Sequence, residues 1–139
     1  MQLSTITTIG TRWSKLAPYL LALLRIVAAL MFVLIGSAKL FAFPFAMGPG
    51  GHVPYLSELG LAGALEFFGG ILLLIGLYTR PVAFILSGQM AVAYFQAHFP
   101  KGFWPMANGG LSAVLYCFLW LYFSAAGAGA WSLDSRRGK

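Results

Sequence analysis

The sequence predicts an all-α integral membrane protein: a four-helix bundle running up-down-up-down, with both termini on the cytoplasmic side. Three observations predict it. Hydrophobic residues make up 60% of the 139 positions and charged residues only 9%, whereas a soluble domain typically carries about 25% charged residues. The apolar residues gather in four runs near the ~20 residues that a helix needs to cross ~30 Å of hydrocarbon. Proline and basic residues concentrate between those runs. Nine Lys and Arg, three Asp and Glu and two His do not cover a globular surface, so lipid is the expected solvent for most of the exterior.

The elements follow in order. The first 17 residues are polar, threonine-rich and basic, an interfacial segment anchored by Trp13. The first span is placed at residues 19–43. It is longer than the ~7–15-residue apolar stretch of a secretory signal, so it is read as uncleaved. Arg25 and Lys39 lie towards its ends, where cations snorkel or face the bundle. The linker over 44–57 is too rich in Gly and Pro to continue helically. A second span is placed at 58–78 with Ser57 as N-cap. After a minimal turn at Thr79 and Arg80, Pro81 opens a third span over 81–99. The PKGFWPMA stretch from Pro100 reads as an aromatic loop at headgroup level. Asn108 then caps a fourth span over 108–126, and a tail with Gly127, Gly129, Trp131, Ser132, Asp134 and three basic residues follows. Residues 1–139 read as one membrane domain, with no internal repeat.

Charge sets the expected orientation. With four spans, Arg12, Lys15, Arg80, Arg136, Arg137 and Lys139 share one side, and Lys101 with the terminal Lys39 falls on the other. The richer side is cytoplasmic by the positive-inside rule. The net charge of +6 thus reads as topology signal and attraction to anionic headgroups. Nucleic acid is excluded as a partner, since no basic groove with stacking aromatics exists. Membrane lipid is the expected partner.

Ionisable residues cost about 2.5–3.5 kcal/mol each at mid-span, so their positions carry information. Arg25, Ala29, Phe32, Gly36, Lys39 and Phe43 follow steps of three and four and share one helix face. Gly63, Glu66, Gly69 or Gly70, Leu73 and Gly76 make a second stripe, one carboxylate among small residues that permit close approach. By depth, Lys39 is the expected partner of Glu66, and Arg25 of Asp134. Tyr94 and His98 share a face of the third span, with Gln89 nearly opposite, while Asn108, Ser112 and Tyr116 line one side of the fourth. In an antiparallel bundle, Lys39, Glu66, Tyr94, His98, Trp104, Asn108 and Ser112 all fall in the outer half, where one polar pocket is expected as the ligand site. Arg25, Arg80 and Asp134 are expected to be structural charges.

Each feature also has a plainer reading. The Lys39–Glu66 pair serves as structural glue as readily as part of a site, His98 as an interfacial hydrogen-bonder, and the glycine stripe as packing. The lone Cys117 makes no disulfide, CxxC pair or cysteine-rich metal site. No metal site is expected, because neither His has the spacing of a helical metal motif, and GPGG lacks the context of a phosphate loop. No nucleophile-base-orienter set is present, so the residues do not establish intrinsic catalysis.

The ordered set LLRI at 23–26, IGSAKLF at 35–41, LEFFGGILLLIGLYTR at 65–80, AYFQAHFPKGFWPMANGG at 93–110 and SLD at 132–134 resembles the DoxX family of small four-helix bacterial membrane proteins. Lys39, Glu66, Arg80, His98, Asn108 and Asp134 match its pattern. Leu111 departs from it, standing where the family frequently has an acidic residue. That departure removes the carboxylate that the family pattern offers at this place for proton handling or metal binding. The family is associated with quinol-oxidase and thiosulfate:quinone systems and with oxidative-stress handling. The resemblance therefore implies an inner-membrane accessory or quinone-linked subunit of a redox system, part of an oxidoreductase complex rather than a self-sufficient enzyme. Quinone is the implied cofactor and redox-complex subunits are the implied partners; small-residue helix faces also allow a second copy of the chain to pair. A small transporter and a non-catalytic scaffold are the alternatives.

Overall fold

A helix once nucleated adds one hydrogen bond for each residue fixed, and the first element accordingly runs further than the apolar run alone requires. The computed structural model describes residues 2–138, with side chains from Gly10 onward. Met1, Lys139 and the side chains of Thr5, Thr7 and Thr8 in the threonine-rich segment lie outside that description. Helix α1 covers Gln2–Phe41 and includes Pro18, so the expected span of 19–43 is extended at its start. It stops two residues short of that expectation because Ala42 takes a left-handed φ of 55°, which a right-handed helix cannot contain.

Helix α2 covers Glu58–Ile75. Ser57 caps it as expected, its Oγ accepting from Gly60 N at 3.1 Å. One widened π turn interrupts it at Leu65–Gly69. It ends earlier than the expected residue 78 because Gly76 adopts φ 66°. Leu77 N then donates to Leu72 O at 2.9 Å and Gly76 N to Leu73 O at 3.1 Å, the paired bonds of a Schellman stop.

Helix α3 covers Thr79–Ala93 and continues through a π turn at Tyr94–His98 and a tight turn at Phe99–Lys101. It begins two residues ahead of Pro81 because the distant carboxylate of Asp134 satisfies its first amides. Tyr78 N donates to Oδ1 at 2.9 Å and Thr79 N to Oδ2 at 2.8 Å. A short α4 covers Pro105–Asn108, α5 covers Leu111–Ala126 and α6 covers Leu133–Arg137. Asn108 is not the cap of α5 that the sequence suggests. It ends α4 and holds the turn, its Oδ1 accepting from Gly110 N at 2.7 Å.

Every regular element among the described residues is helical. Two helices, Gly10–Phe41 within α1 and Glu58–Ile75, are long and apolar enough to cross a membrane, and Leu111–Ala126 is a shorter apolar helix. Neighbours in the chain pack antiparallel. Gly36 of α1 lies against Gly63 and Phe67, Gly70 against Val33 and Ala29, and Gly76 against Arg25. Gly69 of α2 meets Leu86 of α3, and Ser87 of α3 donates to Cys117 O of α5 at 2.8 Å. Phe32 closes the circuit against Trp120 and Tyr116 of α5, with ring centroids 5.3 and 4.9 Å apart. The core is small and aromatic, built on Ala29, Phe32, Leu73, Leu86, Trp120 and Phe123. Large apolar side chains such as Leu23, Phe84, Leu115 and Phe118 remain on the outside, a distribution suited to hydrocarbon rather than water.

Candidate functional site

The polar interior divides into three groups. The first lies where α1, α2 and α3 meet. Lys39, near the end of α1, donates to Glu66 Oε1 at 2.7 Å. Gly63 makes this reach available, since a Cβ there would stand 2.9 Å from Lys39 Cβ. Glu66 sits in the π turn of α2 and is 2% exposed; such single-turn bulges recur at functional sites. From α3, Gln89 Nε2 donates to the same Oε1 at 3.1 Å and to Ala62 O at 3.3 Å. Glu66 Oε2 and Gln89 Oε1 are buried with no hydrogen-bond partner among the described residues.

These three residues help line a groove of about 620 Å³ between α2 and α3, with Leu61, Leu65, Ile85 and Val92 on its walls. A smaller apolar groove of about 290 Å³ shares Leu61, Leu65 and Ile85 and runs on to Leu72 and Val82. The arrangement is a largely apolar trough around one buried ionic, incompletely hydrogen-bonded spot, with the exposed Glu58 and Gln96 also on its lining. It suits a molecule with an apolar body and a polar head. Among the described residues no cluster of His, Cys, Asp and Glu is able to hold a metal.

The second group organises the loop between α3 and α5. Tyr94 donates to Phe103 O. Asn108 Nδ2 donates to Gly102 O at 2.7 Å and to Tyr94 Oη at 3.4 Å. His98 Nδ1 lies 3.3 Å from Asn108 O, and its ring stacks at 6.5 Å on Tyr94. The residues expected to share one outer-half pocket thus fall into two clusters. Lys39 and Glu66 come together in the groove; Tyr94, His98 and Asn108 come together at the loop; neither cluster includes Trp104, which is 64% exposed, or the exposed Ser112.

The third group ties the C-terminal segment to the opposite end. Arg25 is fully buried and its hydrogen bonds go to carbonyls, to Ala128 O, to Trp131 O at 2.8 Å and to Ala130 O at 3.5 Å, while Asp134 acts on it through charge alone. Arg80 similarly donates to Ala125 O and to Ser124 O at 3.4 Å, closing the end of α5. Asp134 serves the start of α3 instead. Partial burial pushes its carboxyl up, but the amides of Thr79 and Tyr78 and the Arg137 charge outweigh that and hold it below the usual carboxylate range. Arg25, Arg80 and Asp134 are all bound into this one structural seam.

Gln89 is the groove residue that sequence reasoning left out. Its signal was present: it is one of two amides in the third apolar run, the other being Gln96, and it stands as far past the tight α2–α3 turn as Glu66 stands before it.

The family model for DoxX matches residues 20–99, a stretch that contains Lys39, Glu66 and Gln89. The chain belongs to the DoxX family. An uncharacterized protein of Haemophilus influenzae is 51% identical over 125 residues, covering 88% of this chain and 93% of that one. The inner membrane protein YphA of Escherichia coli is 30% identical over 138 residues, covering 86% of this chain and 91% of its own. An uncharacterized membrane protein of Mycobacterium tuberculosis is 29% identical over 131 residues, covering 84% of this chain and 80% of its own. No solved structure matches. This DoxX-family chain is an inner-membrane protein.

Proposed function

We propose that this DoxX-family protein is a ligand-holding accessory subunit of a membrane redox system, which keeps an amphipathic, bilayer-soluble molecule of the quinone class in the α2–α3 groove. The observation that carries this reading is the buried Lys39–Glu66–Gln89 spot in a trough whose other walls are mostly apolar. The polar head of the ligand meets that spot, and its apolar tail follows the trough past Leu72 and Val82. Tyr94, His98 and Asn108 contribute by fixing the α3–α5 loop rather than by touching the ligand. Trp104 and Phe103, both exposed, anchor that loop at the headgroup level. The bundle crosses the bilayer four times, up-down-up-down. The end bearing Arg80, Arg136 and Arg137 faces the cytoplasm, which puts the Lys39–Glu66–Gln89 spot in the extracytoplasmic half.

Native mass spectrometry of the detergent-purified protein tests the reading. A small amphipathic molecule retained in stoichiometric amount, and lost in a Lys39→Met, Glu66→Leu double variant that keeps its helical content, is the expected result. A well-folded protein that carries nothing of the kind overturns it. Flux of a solute in proteoliposomes that Glu66→Gln abolishes would assign the same groove to transport instead.

A further inference from the structure

We infer that the α2–α3 groove selects a head group that donates two hydrogen bonds, a diol-type head rather than a carbonyl one. This inference rests on the groove being the ligand site. It comes from counting what the polar spot has left to offer. Gln89 Nε2 faces Ala62 O and Glu66 Oε1, and both of those are acceptors. The opposite amide orientation would set oxygen against oxygen twice, so the hydrogen-bond network fixes the orientation and leaves Oε1 of Gln89 as an acceptor. Glu66 Oε1 already takes bonds from Lys39 at 2.7 Å and from Gln89 at 3.1 Å. Glu66 Oε2 takes none. The buried, unused capacity at the groove base is therefore two acceptors, one from α2 and one from α3.

Lys39 keeps further N–H donors, but its side chain is 13% exposed, whereas the two orphaned oxygens are buried. A buried acceptor without a donor carries the full cost of its desolvation, so the ligand that gains most is one whose head supplies donors. Two O–H groups on an apolar body meet this description. A hydroquinone, the reduced member of the quinone class, or a dihydroxylated lipid has them; an oxidised quinone, a ketone or an ether has acceptors alone.

The test uses matched probes in nanodiscs: hexylresorcinol, its dimethyl ether, and monoolein as an aliphatic diol. The diol is expected to bind at least about tenfold more tightly than the ether, the scale of one net hydrogen bond to a charged group. Competition by monoolein would assign the two-donor head to a lipid source, and its failure to compete would assign it to an aromatic diol. Glu66→Gln supplies the decisive control. Its amide oxygen takes the place facing Lys39 and Gln89, which turns an N–H donor into the position of Oε2. The preference for the diol should then shrink or reverse towards the ether, with the fold intact by circular dichroism. Equal binding of diol and ether to the native protein overturns this inference while leaving the groove as a ligand site. Binding of neither overturns both.

Discussion

A single methyl group at position 36 should loosen the contact on which the Lys39–Glu66 pair depends. A Cβ built on Gly36 lies 2.5 Å from Phe67 N, 2.7 Å from Gly63 O and 2.9 Å from Phe67 Cα, whereas ordinary contact begins at 3.4 Å. All three atoms are backbone and cannot rotate away, so α1 and α2 must move apart by about 1 Å in a region packed at crystal-like density. Overpacking of this kind costs about 1–3 kcal/mol. Replacing a helical glycine by alanine returns up to about 1 kcal/mol through propensity. The clash is the larger effect, and Gly36→Ala should lose about 1–2 kcal/mol net. Gly88 is the matched control, because nothing lies within 4 Å of a Cβ there. Gly88→Ala keeps only the propensity gain and should be stabilised by up to about 1 kcal/mol. Unfolding in mixed detergent micelles, followed by circular dichroism, compares the two variants directly. If Gly36→Ala proves as stable as Gly88→Ala, the close α1–α2 approach described above is wrong.

Three further outcomes are expected. Lys39→Met leaves the Glu66 carboxylate buried without its cation and should cost about 3–5 kcal/mol, whereas pairing it with Glu66→Leu should recover most of that loss; both are read from the same unfolding assay. Arg25→Met removes the donor shared by Ala128 O and Trp131 O. It should release the segment after α5, seen as faster protease cleavage within 127–138, at a cost of about 1–3 kcal/mol for each carbonyl left buried and unpaired. Asp134 ionises more readily in the fold than at its ordinary value of 3.8. Its contribution is therefore fully present above that pH and is lost as the pH falls below it. Asp134→Asn should flatten this acid limb of the stability curve, measured by titrating melting temperature against pH.

Much of the site was legible because helical spacing and depth are visible in a sequence. The steps from Arg25 to Lys39 put both cations on one face, and the glycines around Glu66 marked a close helix contact. Together they led to the pair observed at 2.7 Å. Depth alone does not give direction around a helix, and there the sequence reading lost resolution. Tyr94, His98 and Asn108 lie in the half of the bundle expected for the ligand site but turn to the loop, while Gln89 faces Glu66. Arg25 was assigned to Asp134 because a reading of side chains looks for a carboxylate. Its true acceptors are main-chain oxygens, presented by a segment that Gly127, Gly129 and Trp131 bend through left-handed conformations. Main-chain carbonyls have no letter in a sequence. The helix ends divided on the same principle: Gly76 announces its Schellman turn, but nothing near Thr79 announces that Asp134 will satisfy its amide.

The Arg25 clamp also orders events during biosynthesis. Its acceptors include Ala128, 103 positions further along the chain, so nothing nearby in the polypeptide satisfies the guanidinium. While the ribosome is still making the intervening helices, α1 holds a guanidinium that stays charged with no permanent companions. It must rest shallowly, or borrow water and phospholipid, until residues 128–131 emerge. The leading helix is consequently the last to settle, and a nascent chain stalled before that point should be a ready target for membrane quality-control proteases.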